Sequence, residues 1–214
     1  MYYEYGGKEV EYLKRKDKRL GDAIDHIGHI YREVNGDVFS SVVHSIVGQQ
    51  ISSAALKTVW TRLNDRLGEV SVNTIYAASR EELQSCGITF KKADYIKGFT
   101  EKNLSGEFDA EALRDLNDAD VISKLSALKG IGVWTAEMLM VFCLQRPDVM
   151  SFGDLAIHRG LRMLYHHRKI ERSLFDKYAR RYSPHGTVAS LYLWAIAGGA
   201  IPEMRDFAPG KTAK

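Results

Sequence analysis

From Asp17 onward, Leu20, Ile24, Ile27, Ile30, Tyr31 and Val34 recur at intervals of three and four, the spacing that gathers apolar side chains on one helix face. Asp17 suits the N-cap of that helix, and Asn35-Gly36 its end. A second stripe carries Phe39, Val42, Val43, Ile46 and Val47 up to Gly48. A third follows Ser52 with Ala55, Leu56, Val59, Trp60, Leu63 and Leu67, and stops at Gly68. Shorter helices are predicted at 74–78, 79–85, 90–104 and 110–115, punctuated by Gly87 and Gly106. Asp118 suits the cap of a helix with Val121, Ile122, Leu125 and Leu128. Met138, Leu139, Val141, Phe142 and Leu144 predict a helix buried nearly all round, ended by Pro147. Beyond it, an amphipathic helix with Leu155, Leu161 and Leu164, then helices near 171–182 and 187–198, complete the chain. There is no run of period two long enough for a sheet and no repeat of fixed period, so the predicted class is all-α. Residues 1–16, aromatic and charged without clear periodicity, are expected to form an arm laid on the core.

Between two of these helices stands Leu128-Lys129-Gly130-Ile131-Gly132-Val133-Trp134-Thr135-Ala136. Two glycines flanking an isoleucine allow a tight turn with positive φ, in which successive backbone N–H groups converge on one anion. A helix starting at Thr135 aims its positive end the same way, giving a phosphate cradle that needs no lysine. The unit over about 119–145 therefore reads as helix, hairpin, helix.

Composition adds bounds. A chain of 214 residues can bury one core, or one core split by a groove into two subdomains. Hydrophobic content of 45% with 27% charged residues fits a globular protein. A net charge of +3 is a weak argument for a nucleic-acid partner. The local clusters Lys14-Arg15-Lys16, Lys18-Arg19, Lys91-Lys92, His166-His167-Arg168-Lys169, Arg180-Arg181 and the pair Arg159 and Arg162 say more, although any one of them can be a solvated helix face. Cys86 and Cys143 stand amid small or apolar residues, as reduced intracellular thiols do, and no four-cysteine set exists to hold an iron–sulfur cluster. With no secretory signal and no apolar run near ~18 residues, no membrane partner is expected, and the protein should be intracellular.

Two features carry chemistry. Asp154 follows Gly153 and precedes a helical stripe, so its simplest reading is an N-cap; the exposed N–H groups of a helix start also stabilise a carboxylate, and the two readings are compatible. Gln49 and Gln50 are consecutive amides in an apolar segment, and buried amides need partners. Two weaker signals fail. Gly210-Lys211-Thr212 mimics the end of a phosphate loop, but the glycine required upstream is Arg205. His26 with His29, and His166 with His167, have no third metal ligand at a sensible spacing.

The hairpin resembles that of the helix-hairpin-helix DNA glycosylases, and the form with Trp134 after it is similar to the 3-methyladenine DNA glycosylase II family. Phe39 and Ser45-Ile46-Val47-Gly48-Gln49-Gln50-Ile51-Ser52 resemble the segment that carries the residue pushed into the DNA stack. Asp154-Leu155-Ala156-Ile157-His158-Arg159-Gly160 is similar to the catalytic-aspartate segment, and Tyr182-Ser183-Pro184 with Tyr192-Leu193-Trp194 to the last helix. The resemblance covers roughly residues 17–205. It implies an arm at 1–16 and one glycosylase domain over 17–214, whose two helical subdomains flank a DNA-binding groove. The family's longer members carry a further β-containing domain, so a compact helical member is expected.

The resemblance further implies that Asp154 stabilises positive charge on deoxyribose, or activates water, as an N-glycosidic bond breaks. Gln50 would fill the gap left by a flipped nucleotide, with Gln49 a bridge to backbone. Ser52, Lys129, Gly130, Ile131, Gly132, Thr135 and Arg159 are the other expected DNA contacts. Relatives resembling endonuclease III or 8-oxoguanine glycosylase, which also cut the strand, place a lysine amine where this chain has Trp134, so a monofunctional hydrolase is implied. Trp134 is either ordinary core or one face of a pocket for cationic N-alkylated purines such as 3-methyladenine and 7-methylguanine. Trp194, Tyr192 and Phe39 are further pocket candidates, each with core as the alternative. Met138 stands where longer members have tyrosine. The carbonyls of Ser126, Leu128 and Ile131 would hold a structural monovalent cation, Na or K; no cofactor is implied for catalysis. The expected partner is double-stranded DNA with damaged bases, acted on by a monomer, cytoplasmic in a prokaryote and nuclear in a eukaryote. Two rival readings stand beside this one: a glycosylase for deaminated or oxidised bases, and a non-catalytic DNA-binding module.

Overall fold

A computed structural model describes residues 1–209 of the chain; the lysine-containing Gly210-Lys211-Thr212 segment lies outside the described residues. The described residues form twelve α-helices, a 3-10 turn at Glu111–Asp115 and no strand beyond a single antiparallel bridge between Tyr2 and Glu33. The helices are α1 (Gly7–Lys16), α2 (Lys18–Ile27), α3 (Val38–Gly48), α4 (Ser53–Leu67), α5 (Val72–Ala77), α6 (Arg80–Ser85), α7 (Phe90–Leu104), α8 (Asp118–Ser126), α9 (Val133–Phe142), α10 (Leu155–Tyr165), α11 (Arg172–Tyr182) and α12 (Gly186–Ala197). None is long and apolar enough to cross a membrane. The all-α expectation is met. The chain divides into two compact units, Met1–Val34 with Gln145 onward, and Asn35–Leu144.

The first unit is built around α12. Its sequence is apolar on every side, and every residue from Gly186 to Leu193 is buried, as a helix without a polar face must be. α10 packs on it so closely that a Cβ at Gly160 would be driven into the Leu193 carbonyl oxygen. α2, α11 and α1 cover the remaining sides, contributing Leu13, Leu20, Ile24, Phe175, Tyr178 and Tyr182 to the core. Asp17 caps α2 by accepting the Leu20 N–H at 3.1 Å, and the Arg181 guanidinium closes on its other oxygen.

Two expectations fail in this unit. The stripe that began at Asp17 does not run to Val34: Gly28, at φ +75°, ends α2 about two turns early. The apolar residues after it are extended and pair with the N-terminus, Tyr3 N–H donating to the Arg32 carbonyl at 2.8 Å and Val34 N–H to that of Met1 at 3.0 Å. Residues 1–16 are likewise not one irregular arm. Their second half is α1, whose Val10 and Leu13 face the core; the short stripe was masked by the tyrosines and lysines around it.

In the second unit α3 lies against α4, α7 and α9, α7 against α5 and α6, and α8 against α9. The cap of α8 is Asn117, not Asp118, which is the first helical residue; Asn117 accepts the Asp120 N–H at 3.0 Å. α9 begins at Val133 rather than Thr135, and it is not buried all round, since Val133 and Trp134 are each about half exposed (54% and 49%).

The crossing of α10 on α12 predicts that Gly160→Ala costs about 1–3 kcal/mol through overpacking against backbone. Gly98→Ala, in the middle of α7 where an added Cβ meets nothing within 4 Å, should gain about 0.5–1 kcal/mol. Urea unfolding of both variants measures this; equal midpoints would contradict the close crossing.

Candidate active site

Asp154 is the N-cap of α10, with extended backbone and only 7% exposure. Its Oδ1 accepts the N–H groups of Ala156 and Ile157, both at 2.9 Å, and the indole Nε1–H of Trp194 at 3.2 Å. A carboxylate with three N–H donors on one oxygen is fixed in place. Leu155, expected on the packed stripe, is 82% exposed, because the stripe begins one residue pair later at Ile157. Arg159 is exposed; its Nε lies 3.9 Å from the Asp206 carboxylate, which is gripped by the Arg162 fork at 2.6 and 2.7 Å. That fork holds the Asp206 carboxyl below its ordinary value.

In the second unit, Leu128 to Gly132 form the turn between α8 and α9, closed by the Ile131 N–H donating to the Leu128 carbonyl at 3.1 Å. The positive φ falls on Gly130 (+89°) and not on Gly132 (−94°), which is the extended N-cap of α9. The tyrosine ring of Tyr95 lies where a Cβ on Gly130 would go, whereas nothing stands within 4 Å of one on Gly132. The expectation of two positive-φ glycines is thus corrected to one. Gly132 caps α9 without a side-chain hydrogen bond, and Thr135, in the first turn, is buried.

Gln49 reaches this turn, its Nε2 donating to the Gly130 carbonyl at 2.5 Å. Gln50 follows at φ +57° with its side chain exposed, and Ser52 caps α4 by accepting the Ala55 N–H at 3.2 Å. Lys92 supports the bend from below, donating to the carbonyls of Val47 at 2.8 Å and Gln49 at 2.6 Å. Burial pushes its ammonium below the ordinary lysine value. Lys92 was expected only as part of a basic cluster. Its position one turn before Ile96, on the packed stripe of α7, is the signal that separates it from exposed Lys91.

A cavity of about 510 Å³ opens beside the bend, with Gln50 and Trp134 at its rim and Thr135, Met138 and His44 among its walls. His44 was not anticipated. Its ring meets Trp60 edge-on at 4.7 Å, and burial pushes its imidazole below the ordinary value. Two expected pocket residues are core instead. Phe39 is buried and stacks on Phe99 at 5.2 Å, as the second residue of α3 pointing into its own unit. Tyr192 is buried in α12, its hydroxyl 3.2 Å from that of Tyr5 and donating to the Gly28 carbonyl at 3.1 Å. Lys129 is exposed on the turn.

The turn between α8 and α9 is a hairpin joining two short helices, so the second unit carries a helix-hairpin-helix motif. Residues 43–184 match the HhH-GPD superfamily of base excision DNA repair proteins, and the chain belongs to that family. It is similar to DNA-3-methyladenine glycosylase 1 of Schizosaccharomyces pombe, 31% identical over 161 residues that make up 73% of this chain and 71% of that protein. A DNA-3-methyladenine glycosidase structure from Bacillus halodurans superposes with a TM-score of 0.86 at 35% identity over 97% of both chains. The Schizosaccharomyces pombe 3-methyladenine DNA glycosylase in complex with abasic DNA gives 0.77 at 25% identity, over 89% of this chain and 97% of that one.

The contrast between the two hairpin glycines is testable by thermal unfolding. Gly130→Ala should cost upwards of about 1–2 kcal/mol from the left-handed backbone alone, with the Tyr95 clash added. Gly132→Ala should stay within about 0.5 kcal/mol of the parent. A reversed order would move the strained position back to Gly132.

Proposed function

We propose that this protein is a monofunctional DNA glycosylase that flips N-alkylated purines out of double-stranded DNA and hydrolyses their N-glycosidic bonds. The observation that carries this reading is the Asp154 carboxylate, held in place at the start of α10 by two backbone N–H groups and an indole. As the bond to the base lengthens, positive charge builds on the sugar, and a fixed carboxylate lowers the barrier by countering it or by taking a proton from the attacking water. A purine that already carries positive charge leaves without help from an acid. Trp134 suits the recognition of such a base: an aromatic face attracts a cation by roughly 0.5–2 kcal/mol, more when water is excluded.

Gln50, thrust outward by its positive φ, fills the gap in the stack, while Gln49 and Lys92 hold the bend that presents it. The start of α9, where no side chain caps the helix, takes a backbone phosphate beside Lys129, and Arg159 on α10 is a separate DNA contact. The hairpin also suits a monovalent cation. Ser126 ends α8, so its carbonyl belongs to the last turn, where helix carbonyls have no partner within the helix. The Leu128 carbonyl, which takes the Ile131 N–H, retains a second lone pair, and the Ile131 carbonyl precedes α9. Neutral carbonyls suit a hard monovalent ion, whose charge would strengthen the attraction for phosphate. The working form is a monomer.

The test is to incubate the protein with methylated duplex DNA and identify the released bases by chromatography. Asp154→Asn, which keeps the cap, should still bind DNA while base release falls by at least about 100-fold; release within tenfold of the parent removes Asp154 from the chemistry. Trp134→Ala should slow 7-methylguanine release well beyond any change in DNA affinity. The parent protein should leave intact abasic sites and no borohydride-trapped adduct, since no amine stands at position 134. Strand breaks without added base or heat, together with such an adduct, would refute the monofunctional reading.

A further inference from the structure

Trp194 does not behave as a simple pocket wall. Its neighbour Leu193 is the residue whose carbonyl lies against Gly160, so α12 is locked to α10 one residue before the tryptophan. That lock sets the indole at the start of α10, where Nε1–H donates to Asp154 Oδ1. The two other donors to this oxygen, Ala156 and Ile157, belong to the helix that Asp154 itself caps. An ordinary cap needs no more than such local donors: Asp37 caps α3 by accepting the Ser40 N–H at 3.0 Å. Donors from a single turn locate one oxygen but leave the carboxyl plane weakly defined, because the terminal torsion of aspartate is broad. A third donor arriving from another helix defines that plane.

We propose that Trp194 is a positioning residue for Asp154, whose indole N–H orients the carboxylate, and that its contribution to base excision is exerted through Asp154 rather than by stacking on the departing base. The proposal rests on Asp154 being the catalytic carboxylate. Trp194→Phe keeps an aromatic ring in the packing and removes the donor. Misorientation of a fixed charge is then read in the chemical step: single-turnover excision should fall about tenfold to a hundredfold, while affinity for a duplex with an abasic-site analogue stays within about threefold. The loss should be alike for 3-methyladenine and 7-methylguanine, whereas a stacking wall would discriminate between them.

A second measurement needs no change at Trp194. The chain has three tryptophans, so the ¹H–¹⁵N spectrum carries three indole cross-peaks. In Asp154→Asn the Trp194 peak should move upfield, because a neutral amide oxygen is a weaker acceptor than a carboxylate, with those of Trp60 and Trp134 unchanged. If Asp154→Asn still releases base, the catalytic reading itself fails. If Asp154→Asn is inactive but Trp194→Phe excises at the parent rate, or the Trp194 peak does not respond to Asp154→Asn, the positioning role alone is overturned.

Discussion

The approach of α10 to α12 at Gly160 is the constraint on which the first unit depends. With no side chain at that position, the Leu193 carbonyl sits against the helix, and no other residue would leave room for it. Three consequences follow along the chain. α12 becomes the central rod of the unit, buried from Gly186 to Leu193. α10 is held with its first turn beside residue 194. Asp154, the cap of that turn, then receives its third hydrogen bond from Trp194. One close backbone contact thus turns a common helix cap into a carboxylate whose place and orientation are both set.

The second unit solves a different problem, that of holding a strained bend with one exposed side chain without losing shape. Its solution is a set of ties across the chain between two loops and α7. Gln49 joins the α3–α4 bend to the Gly130 carbonyl, Lys92 joins α7 to the same bend, and the Tyr95 ring covers Gly130. Gln50 can therefore adopt φ +57°, a backbone state that costs a non-glycine residue about 1 kcal/mol or more, because its neighbours on both sides are pinned. Strain of this kind persists only where the surroundings impose it.

How far the sequence could be read depended on whether a feature was local. Helix stripes are local, and ten of the twelve α-helices lie where three- and four-residue spacing puts them; the exceptions are the misread α1 and the overlong α2. In α2 the apolar series after Gly28 continues at helical spacing, yet those residues are claimed by an extended pairing with Met1 and Tyr3 that lies nearly thirty positions away. The cap role of Asp154 was legible from its position before a stripe. The indole that completes its shell was not, because Trp194 is 40 residues distant and its direction depends on the Gly160 crossing. Phe39 and Tyr192 show the converse: an aromatic residue in a functional segment is identified by type, while its side of the helix is decided by packing. Gly130 and Gly132 are indistinguishable by type, and only the backbone angles tell which one bears the turn.

Charge sorts with these two architectures. Residues 35–144, which include the hairpin, hold 11 Lys and Arg against 14 Asp and Glu, whereas the rest of the chain holds 19 against 13. The small overall charge of +3 is thus a basic unit and an acidic one combined. Within the first unit several cations are already committed, Arg181 to Asp17, Lys14 to Asp25 and Arg162 to Asp206, so its excess is carried by the remainder. The hairpin unit cannot draw a polyanion by net charge. In the function proposed above, its attraction is short-ranged, through the start of α9, whose partial charge is felt within about one turn. A field of that kind acts only after a phosphate has come within hydrogen-bonding distance, so on the proposed function the hairpin fixes register on DNA and the basic unit supplies long-range capture.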